Sequence, residues 1–226
     1  MLSDVMEDYL KAIHHLTGEK RVSTSEIAEC LEVSPSTVTS MLAKLEERGL
    51  ADYEKYEGVV LTEEGETVAL EVLRHHRLLE SYLAERLNYD WADVHDEADR
   101  LEHYISEEFE RRIAAAMDDP EVDPHGDPIP GADLAPPDEA ETTRLADHET
   151  GDRVIVERVR DRDGEELDYL AEAGITPGTE LEIEEVAPFG MVTVRVDGDA
   201  QSLPGRIATS IRVRAVPDRP ENEADA

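Results

Sequence analysis

The sequence has a single cysteine, Cys30, so no disulfide bond can form within one chain, which fits a reducing cytoplasm. It has no apolar run of about 18 residues or more, which excludes a membrane-spanning helix. The start of the sequence lacks a basic segment followed by an apolar one, so no secretory signal is predicted. Together these absences favour a cytoplasmic protein that does not bind a membrane.

Basic residues are scarce, because 22 lysines and arginines stand against 56 aspartates and glutamates, a formal net charge of −34. Proteins usually gain affinity for DNA by neutralising phosphates with Lys and Arg, so this charge opposes DNA binding in ordinary salt. The acidic residues are spread through every segment. This distribution predicts adaptation to the salt-saturated cytoplasm of a halophile, where screening shortens the range of repulsion. A protein that binds basic partners or mimics DNA is the alternative.

Three helices are predicted near the start of the chain. Apolar residues at helical intervals predict the first over residues 6–16. Ser23 or Thr24 can cap the second helix, and Ser34 can cap the third, with Pro35 at its first position. Two short helices joined by a tight turn are typical of a helix-turn-helix.

Two short extended runs follow Gly49, at residues 50–56 and 59–62. A hairpin directly after a helix-turn-helix predicts the wing of a winged helix. The exposed face of the third helix offers side chains that can hydrogen-bond phosphates or base edges in a major groove. The predicted DNA-binding residues are Ser34, Ser36, Thr37, Thr39, Ser40 and Lys44.

The sequence pattern changes twice over the rest of the chain. Long amphipathic helices are predicted from Glu63 past Glu80 and from Asp93 to about Met117. Residues 118–142 have the composition of turns and linkers. Short β-like runs then predict a small barrel. These runs are Val154 to Val159, Glu180 to Val186, Val192 to Val196 and Ile211 to Val216.

Histidines and carboxylates recur at helical spacing in the two long predicted helices. Offsets of three and four residues project from one helix face, so each set can direct its ligand atoms to one place. Imidazole and carboxylate ligands favour Mn, Fe, Co, Ni or Zn. Acidic pairs alone would indicate a solvated face, and the histidines favour a metal site instead. The residues are His76 and Glu80 on one helix, and His95, Asp99, Glu102 and His103 on the next.

Five stretches resemble the diphtheria toxin repressor and manganese transport regulator family of metal-dependent repressors, and the resemblance extends from Met6 to Val216. The C-terminal part resembles an SH3-like domain related to small iron-transport accessory domains. The matching stretches are MEDYLKAI at 6–13, EKYEGVVLTEEG at 54–65, HHRLLE at 75–80, VHDEADRLEH at 94–103 and PHGDPIPG at 124–131.

The resemblance implies a mainly helical fold with a small β part. It implies a homodimer whose two winged helices bind a pseudo-palindromic operator in double-stranded DNA. The expected domains are a winged helix-turn-helix at 1–63, a helical metal-binding and dimerisation domain at 64–118, a Pro-rich linker at 119–148, an SH3-like β-barrel at 149–216 and a disordered acidic tail at 217–226.

Two metal sites are also implied by the resemblance. Iron-responsive members have methionine at the position of Asp8 and usually cysteine at that of Asp99, whereas manganese-responsive members have oxygen ligands at both, so Mn(II) is favoured over Fe(II). Lys11 departs from the manganese-type members, which have a liganding glutamate there, and this makes a paired-metal site doubtful. The regulatory site is expected at Asp8, Asp99, Glu102 and His103, the ancillary site at His76, Glu80 and His95, with Asp163 and Glu166 as loosely aligned further ligands.

The expected function is therefore repression of divalent metal uptake genes by a regulator that binds DNA when the metal is abundant. Two alternatives remain at this point. One is a metal-independent winged-helix regulator that responds to an organic ligand. The other is a metal-dependent hydrolase, against which stands the lack of a nucleophile motif or an obvious general base, so no enzymatic activity is expected.

Overall fold

The computed structural model describes residues 2–18, 20–135, 141–160 and 164–216. The predicted acidic tail at 217–226 lies outside the described residues. No helix in the described part of the chain is both long and apolar enough to cross a membrane. The chain forms two compact units, the first of Met1–Tyr82, Asp96–Glu121 and Ile129–Pro137, the second of Leu83–His95, Val122–Pro128 and Asp138–Ala226.

The first unit begins with a winged helix-turn-helix, as predicted. Ser23, rather than Thr24, caps the second helix: its hydroxyl accepts from the Glu26 N–H, and the Glu26 carboxylate accepts from the Ser23 N–H. Ser34 caps the third helix by accepting from the Thr37 N–H. The elements are α1 (Asp4–Leu16), α2 (Thr24–Cys30), α3 (Pro35–Glu47), β1 (Ala51–Glu54) and β2 (Gly58–Leu61).

The apolar faces of α1, α2 and α3 form one core. Leu10 and Ile13 of α1, Ile27 of α2, and Leu42 and Leu45 of α3 are completely buried in it. Each such side chain stabilises the fold by about 1.5–3 kcal/mol through apolar burial. The orientation of α1 relative to α3 is therefore fixed by packing, while another face of α1 remains available for polar contacts.

The helical region of the chain differs from the prediction in one respect. The helix expected from Asp93 to Met117 is two helices, because the chain turns at residues 102–106 and the Ser106 hydroxyl caps a new helix by accepting from the Phe109 N–H. The single long helix was thus wrong. The observed elements are α4 (Glu63–Leu87), α5 (Val94–Leu101) and α6 (Glu107–Ala116).

The second unit contains a six-stranded antiparallel sheet in the order β3-β8-β4-β5-β6-β7. The four predicted β runs correspond to β4, β5, β6 and β8, whereas β7 was missed because its sequence, DAQSL, shows no apolar alternation. The core lies between this sheet and two short helices. The elements are β3 (Thr143–Arg144), β4 (Arg153–Val159), α7 (Gly164–Glu172), β5 (Glu180–Val186), β6 (Val192–Val196), β7 (Asp199–Leu203), α8 (Gly205–Ser210) and β8 (Ile211–Ala215).

Gly65, in the first turn of α4, approaches the backbone of Leu50 closely. A Cβ atom at Gly65 would lie 1.9 Å from the Leu50 carbonyl oxygen and 2.9 Å from its carbonyl carbon. We expect Gly65→Ala to lower the free energy of unfolding by about 3 kcal/mol or more, since backbone must move to admit the methyl group. Urea unfolding of the metal-free protein measures this loss.

Gly18→Ala is the matched control for this substitution, because nothing lies within 4 Å of a Cβ atom at Gly18. Its unfolding free energy should stay within about 0.5 kcal/mol of the wild-type value. Equal stability of the two alanine variants would show that α4 does not start against Leu50 as described.

Candidate metal centre

One face of α1 carries polar side chains that contact the end of α5 and the turn after it. Each of Asp4, Glu7, Asp8 and Lys11 is three or four residues from two others of the set, so they project from one side of the helix. We call this set of contacts the polar seam. It consists of Asp4, Glu7, Asp8 and Lys11 on α1, and Asp99, Glu102, His103 and Tyr104 opposite them.

His103 lies between two carboxylates of α1. Its Nε2 is 3.0 Å from Asp8 Oδ1, and its Nδ1 is 2.7 Å from Glu7 Oε2. Burial alone lowers the pKa of His103, but the hydrogen bond to Glu7 and the charges of Glu102 and Asp8 raise it above the ordinary value. Burial raises the pKa of Asp8, an effect that the charges of His103 and Lys11 oppose. The turn after α5 is thus bound to α1 by charged groups.

Asp8, Glu102 and His103 can together hold a metal ion. Each offers one ligand atom, and these atoms all lie within 4.8 Å of one another. The donors are two carboxylates and one imidazole, with no sulfur, a set that suits Mn(II) or Fe(II). The residues therefore fit the divalent ion that the sequence predicts.

Glu102 is the most buried member of this group, with 1% of its surface exposed. Lys11 Nζ lies 2.7 and 2.9 Å from its two carboxylate oxygens. The same ammonium donates to Asp99 Oδ1 at 2.8 Å. Glu102 thus stands at the centre of the polar seam, in contact with a cation from α1.

His76 of α4 also contacts Glu102. Its Nδ1 is 2.6 Å from Glu102 Oε2 and 3.3 Å from Asp99 Oδ1, while its Nε2 is 3.0 Å from Glu80 Oε1. Burial alone lowers the pKa of His76, but the charge of Glu80 and the hydrogen bonds to both glutamates raise it to about 9. His76, Asp99 and Glu102 form a second group whose ligand atoms lie within 4.8 Å of one another.

The predicted regulatory residues therefore meet in two overlapping groups that share Glu102. Asp99, predicted as a ligand with Asp8 and His103, is in direct contact with Lys11 and His76. Glu102 and His103 lie in the turn after α5 and not on a helix, contrary to the prediction. All four regulatory residues nevertheless belong to the first unit, on α1, on α5 or in its following turn.

The ancillary site remains a prediction. His76 and Glu80 contact each other on α4, whereas His95 is the second residue of α5 and belongs to the second unit. Glu166 lies on α7 and forms an ion pair with Arg206 at 3.0 Å. Asp163 lies outside the described residues.

Some polar residues of interest were not singled out from the sequence. Glu7 contacts His103, and its place beside Asp8 on the same helix could have indicated this. Asp123 and His125 are buried in the second unit, where Asp123 Oδ1 accepts from the His125 and Asp127 N–H groups. Their hydrogen bonds close a turn, which the glycine and prolines of this segment alone did not specify.

The predicted DNA-binding residues all lie on the solvent side of the winged helix. Ser34 is occupied as the cap of α3, and the hydroxyls of Thr39 and Ser40 donate to backbone oxygens one turn earlier on the helix. These hydroxyls retain acceptor capacity, while Lys44 supplies the positive charge. The exposed residues are Ser34, Ser36, Thr37, Thr39, Ser40 and Lys44.

Three parts of the chain match known protein families. Residues 1–59 match the N-terminal DNA-binding domain of iron-dependent repressors, and residues 62–131 match the metal-binding and dimerisation domain of the same proteins. Residues 143–215 match the FeoA domain. The three matches follow one another along the chain in the order of the winged helix, the helical region and the six-stranded sheet.

Individual proteins are similar over nearly the whole chain. The diphtheria toxin repressor of Corynebacterium glutamicum is 34% identical over 225 residues, covering 95% of this chain and 98% of the relative. The iron-dependent repressor IdeR of Mycobacterium bovis is 32% identical over 228 residues, covering 95% and 99%. The solved structure of a manganese-dependent transcriptional repressor in complex with manganese is 39% identical, with a TM-score of 0.85 and coverage of 93% and 100%.

Proposed function

This chain belongs to the iron-dependent repressor family and is a metal-dependent transcriptional repressor, and we propose that the ion it senses is Mn(II), held by Asp8, Glu102 and His103. The family, the winged helix-turn-helix and the function of a metal-dependent repressor predicted from the sequence are thereby confirmed. The prediction that the regulatory ligand is Mn(II) or Fe(II) is also confirmed.

The meeting of Asp8 with Glu102 and His103 carries this proposal. Asp8 comes from α1, which packs in the core of the DNA-binding domain, whereas Glu102 and His103 come from the metal-binding domain. A divalent ion bound there would attract all three donors at once. These residues therefore join the two domains most firmly when the ion is bound.

The coupling to DNA follows from how α1 is packed. Tyr9, Leu10 and Ile13 are buried in the same core as Leu42 and Leu45 of α3, so α1 and α3 are expected to move as one body. An ion that holds Asp8 against the metal-binding domain therefore also restricts the orientation of α3. An ion can favour DNA binding only through its greater affinity for that arrangement, typically by about 1–3 kcal/mol per site.

We infer that the operator is pseudo-palindromic and is bound by a homodimer acting in the cytoplasm. Two symmetry-related copies of α3 would enter successive major grooves, about 34 Å apart along the DNA. The exposed hydroxyls of α3, with Lys44, would make the contacts. Metal uptake genes are the expected targets, since a repressor activated by abundant metal would stop further uptake.

The choice of Mn(II) over Fe(II) rests on the hardness of the donors. Carboxylates and one imidazole surround the proposed position, and the chain's one cysteine, Cys30, ends α2 of the DNA-binding domain. Manganese binds least tightly among the first-row divalent ions, so a site without sulfur disfavours softer ions relative to Mn(II).

An electrophoretic mobility shift on the protein's own promoter tests the proposal. The chelated protein is compared in molar KCl with added Mn(II), with Fe(II) under anoxia, and with no metal. Retardation should appear when Mn(II) is added and be absent without metal. Equal retardation without any metal would favour a metal-independent regulator, and a response to Fe(II) alone would contradict the choice of manganese.

We predict an unusually weak dependence of DNA affinity on salt. Arg21 of the winged helix is already engaged by Asp52 and Glu54 at 2.7 Å each, which leaves few cations for phosphates. Ten phosphate contacts would give a slope of log K against log salt near about −9, and fewer contacts give a shallower slope. Fluorescence anisotropy of labelled operator DNA in increasing KCl measures it. A slope near the ten-contact value would refute the prediction.

A further inference from the structure

The polar seam, together with His76 of α4, which contacts it, contains two neighbouring groups of possible metal ligands. Asp8, Glu102 and His103 make one, and His76, Asp99 and Glu102 make the other. Both groups use Glu102, whose side chain is inaccessible to solvent. The seam thus offers places for two adjacent cations.

Lys11 places its own positive charge at the second group. Its Nζ lies 2.8 Å from Asp99 Oδ1 and 2.7 Å from Glu102 Oε1, two of the three possible ligand groups there. Three N–H donors of one ammonium suit three carboxylate oxygens, and Lys11 contacts three. The ammonium therefore contacts both carboxylates of the second group, whereas its hydrogen bonds reach only one of the two carboxylates of the first group, the shared Glu102.

Electrostatics keeps this ammonium charged. Lys11 Nζ lies within 2.9 Å of carboxylate oxygens of Glu102 and Asp99, and opposite charges at this distance favour the charged form of the ammonium. A buried carboxylate such as Glu102 needs a compensating cation or hydrogen bonds. Lys11 of α1 supplies both the cation and the hydrogen bonds to Glu102 of the metal-binding domain.

We propose that Lys11 is a tethered cation that takes the place of a second metal ion in the polar seam, leaving only the group of Asp8, Glu102 and His103 for a divalent ion. This inference rests on the proposed function, because it assumes that the seam binds a divalent ion. Lys11 links α1 to α5 whether or not metal is present, so part of the contact between them does not depend on the metal.

The number of Mn(II) ions bound per subunit tests this inference. Lys11→Met keeps the length of the side chain and removes its charge, which exposes Asp99, Glu102 and His76 to a metal. Chelated full-length protein is dialysed against Mn(II), and bound metal is counted by inductively coupled plasma mass spectrometry. The variant should hold about one Mn(II) more per subunit than the wild type. Its melting temperature should be lower without metal and should rise further on adding Mn(II).

Two control variants separate charge from side-chain volume and position. Lys11→Arg keeps the positive charge and should keep the wild-type metal count. Lys20→Met removes an exposed lysine outside the seam and should change neither the count nor the melting temperature. Lys11→Gln serves as a second neutral variant should Lys11→Met fail to fold.

The possible outcomes separate the role of Lys11 from the proposed function. A folded neutral variant with the wild-type metal count would overturn the role of Lys11. So would unfolding of both neutral variants even in excess Mn(II), because the metal would then not replace the ammonium. A wild-type protein that binds no Mn(II) at all would contradict the proposed function instead.

Discussion

Asp8→Ala is expected to abolish Mn(II)-dependent DNA binding while leaving the protein folded. The Asp8 side chain is 42% exposed and lies on the polar face of α1, away from the core, so its loss opens no cavity. It removes the only group of α1 in the proposed metal site and with it the link between metal and DNA-binding domain. Operator affinity in Mn(II) should fall about 5- to 150-fold, the range of a typical coupling free energy.

Anisotropy of labelled operator DNA with and without Mn(II) measures this loss, and titration calorimetry measures the affinity for Mn(II). Asp4→Ala is the matched control, since Asp4 lies one turn earlier on α1 and bonds to Tyr104, outside both groups of possible metal ligands. It should retain the response to Mn(II). The proposed site would be refuted by an unchanged response in Asp8→Ala, or by equal losses in the two variants.

Glu102→Gln is expected to have the largest combined effect on stability and metal binding. Glu102 is buried and contacts Lys11 and His76 at 2.6–2.9 Å, so its neutralisation leaves a buried histidine and a partly buried lysine with weaker partners. Breaking a buried ion pair by removing one partner costs about 3–5 kcal/mol. Both groups of possible metal ligands also lose a carboxylate, so Mn(II) should no longer raise the melting temperature.

Urea unfolding and thermal unfolding with and without Mn(II) check both effects. Glu97→Gln, in the helix α5 that precedes Glu102, is the control, because Glu97 pairs with Arg100 at the surface at 3.1 Å. Loss of such an exposed pair costs about 0–1 kcal/mol, and the metal response should be retained. If Glu102→Gln were as stable as Glu97→Gln, Glu102 could not be the buried centre of the seam.

The winged helix was predictable because its signals are local. Ser34 with Pro35, and Ser23 with Glu26, specify helix starts through contacts within three residues, and apolar periodicity specifies which faces are buried. The wrong prediction of a single helix from Asp93 to Met117 also came from local signals. Ser106 also marks a helix start, but the apolar pattern continued through it and suggested one helix instead of two.

The composition of the site was also readable from the sequence, because histidines and carboxylates recur together at helical spacing in the two long predicted helices. Which of those residues contact one another could not be predicted from the sequence. Asp99 contacts Lys11 and His76, which are 88 and 23 residues away in sequence, because such residues meet only when α1, α4 and α5 assemble. The contact of Glu7 with His103 was missed for the same reason.

The sequence by itself determined the kinds of element, the caps that start them and the set of donors available to a metal, since these depend on neighbours a few residues away. Only the tertiary structure decided that Glu102 is shared between two groups and that Lys11 supplies one of the positive charges. Burial is the physical reason. A carboxylate removed from water must find its partner among whatever groups the packed helices bring within hydrogen-bond distance, and no spacing along the chain specifies that partner.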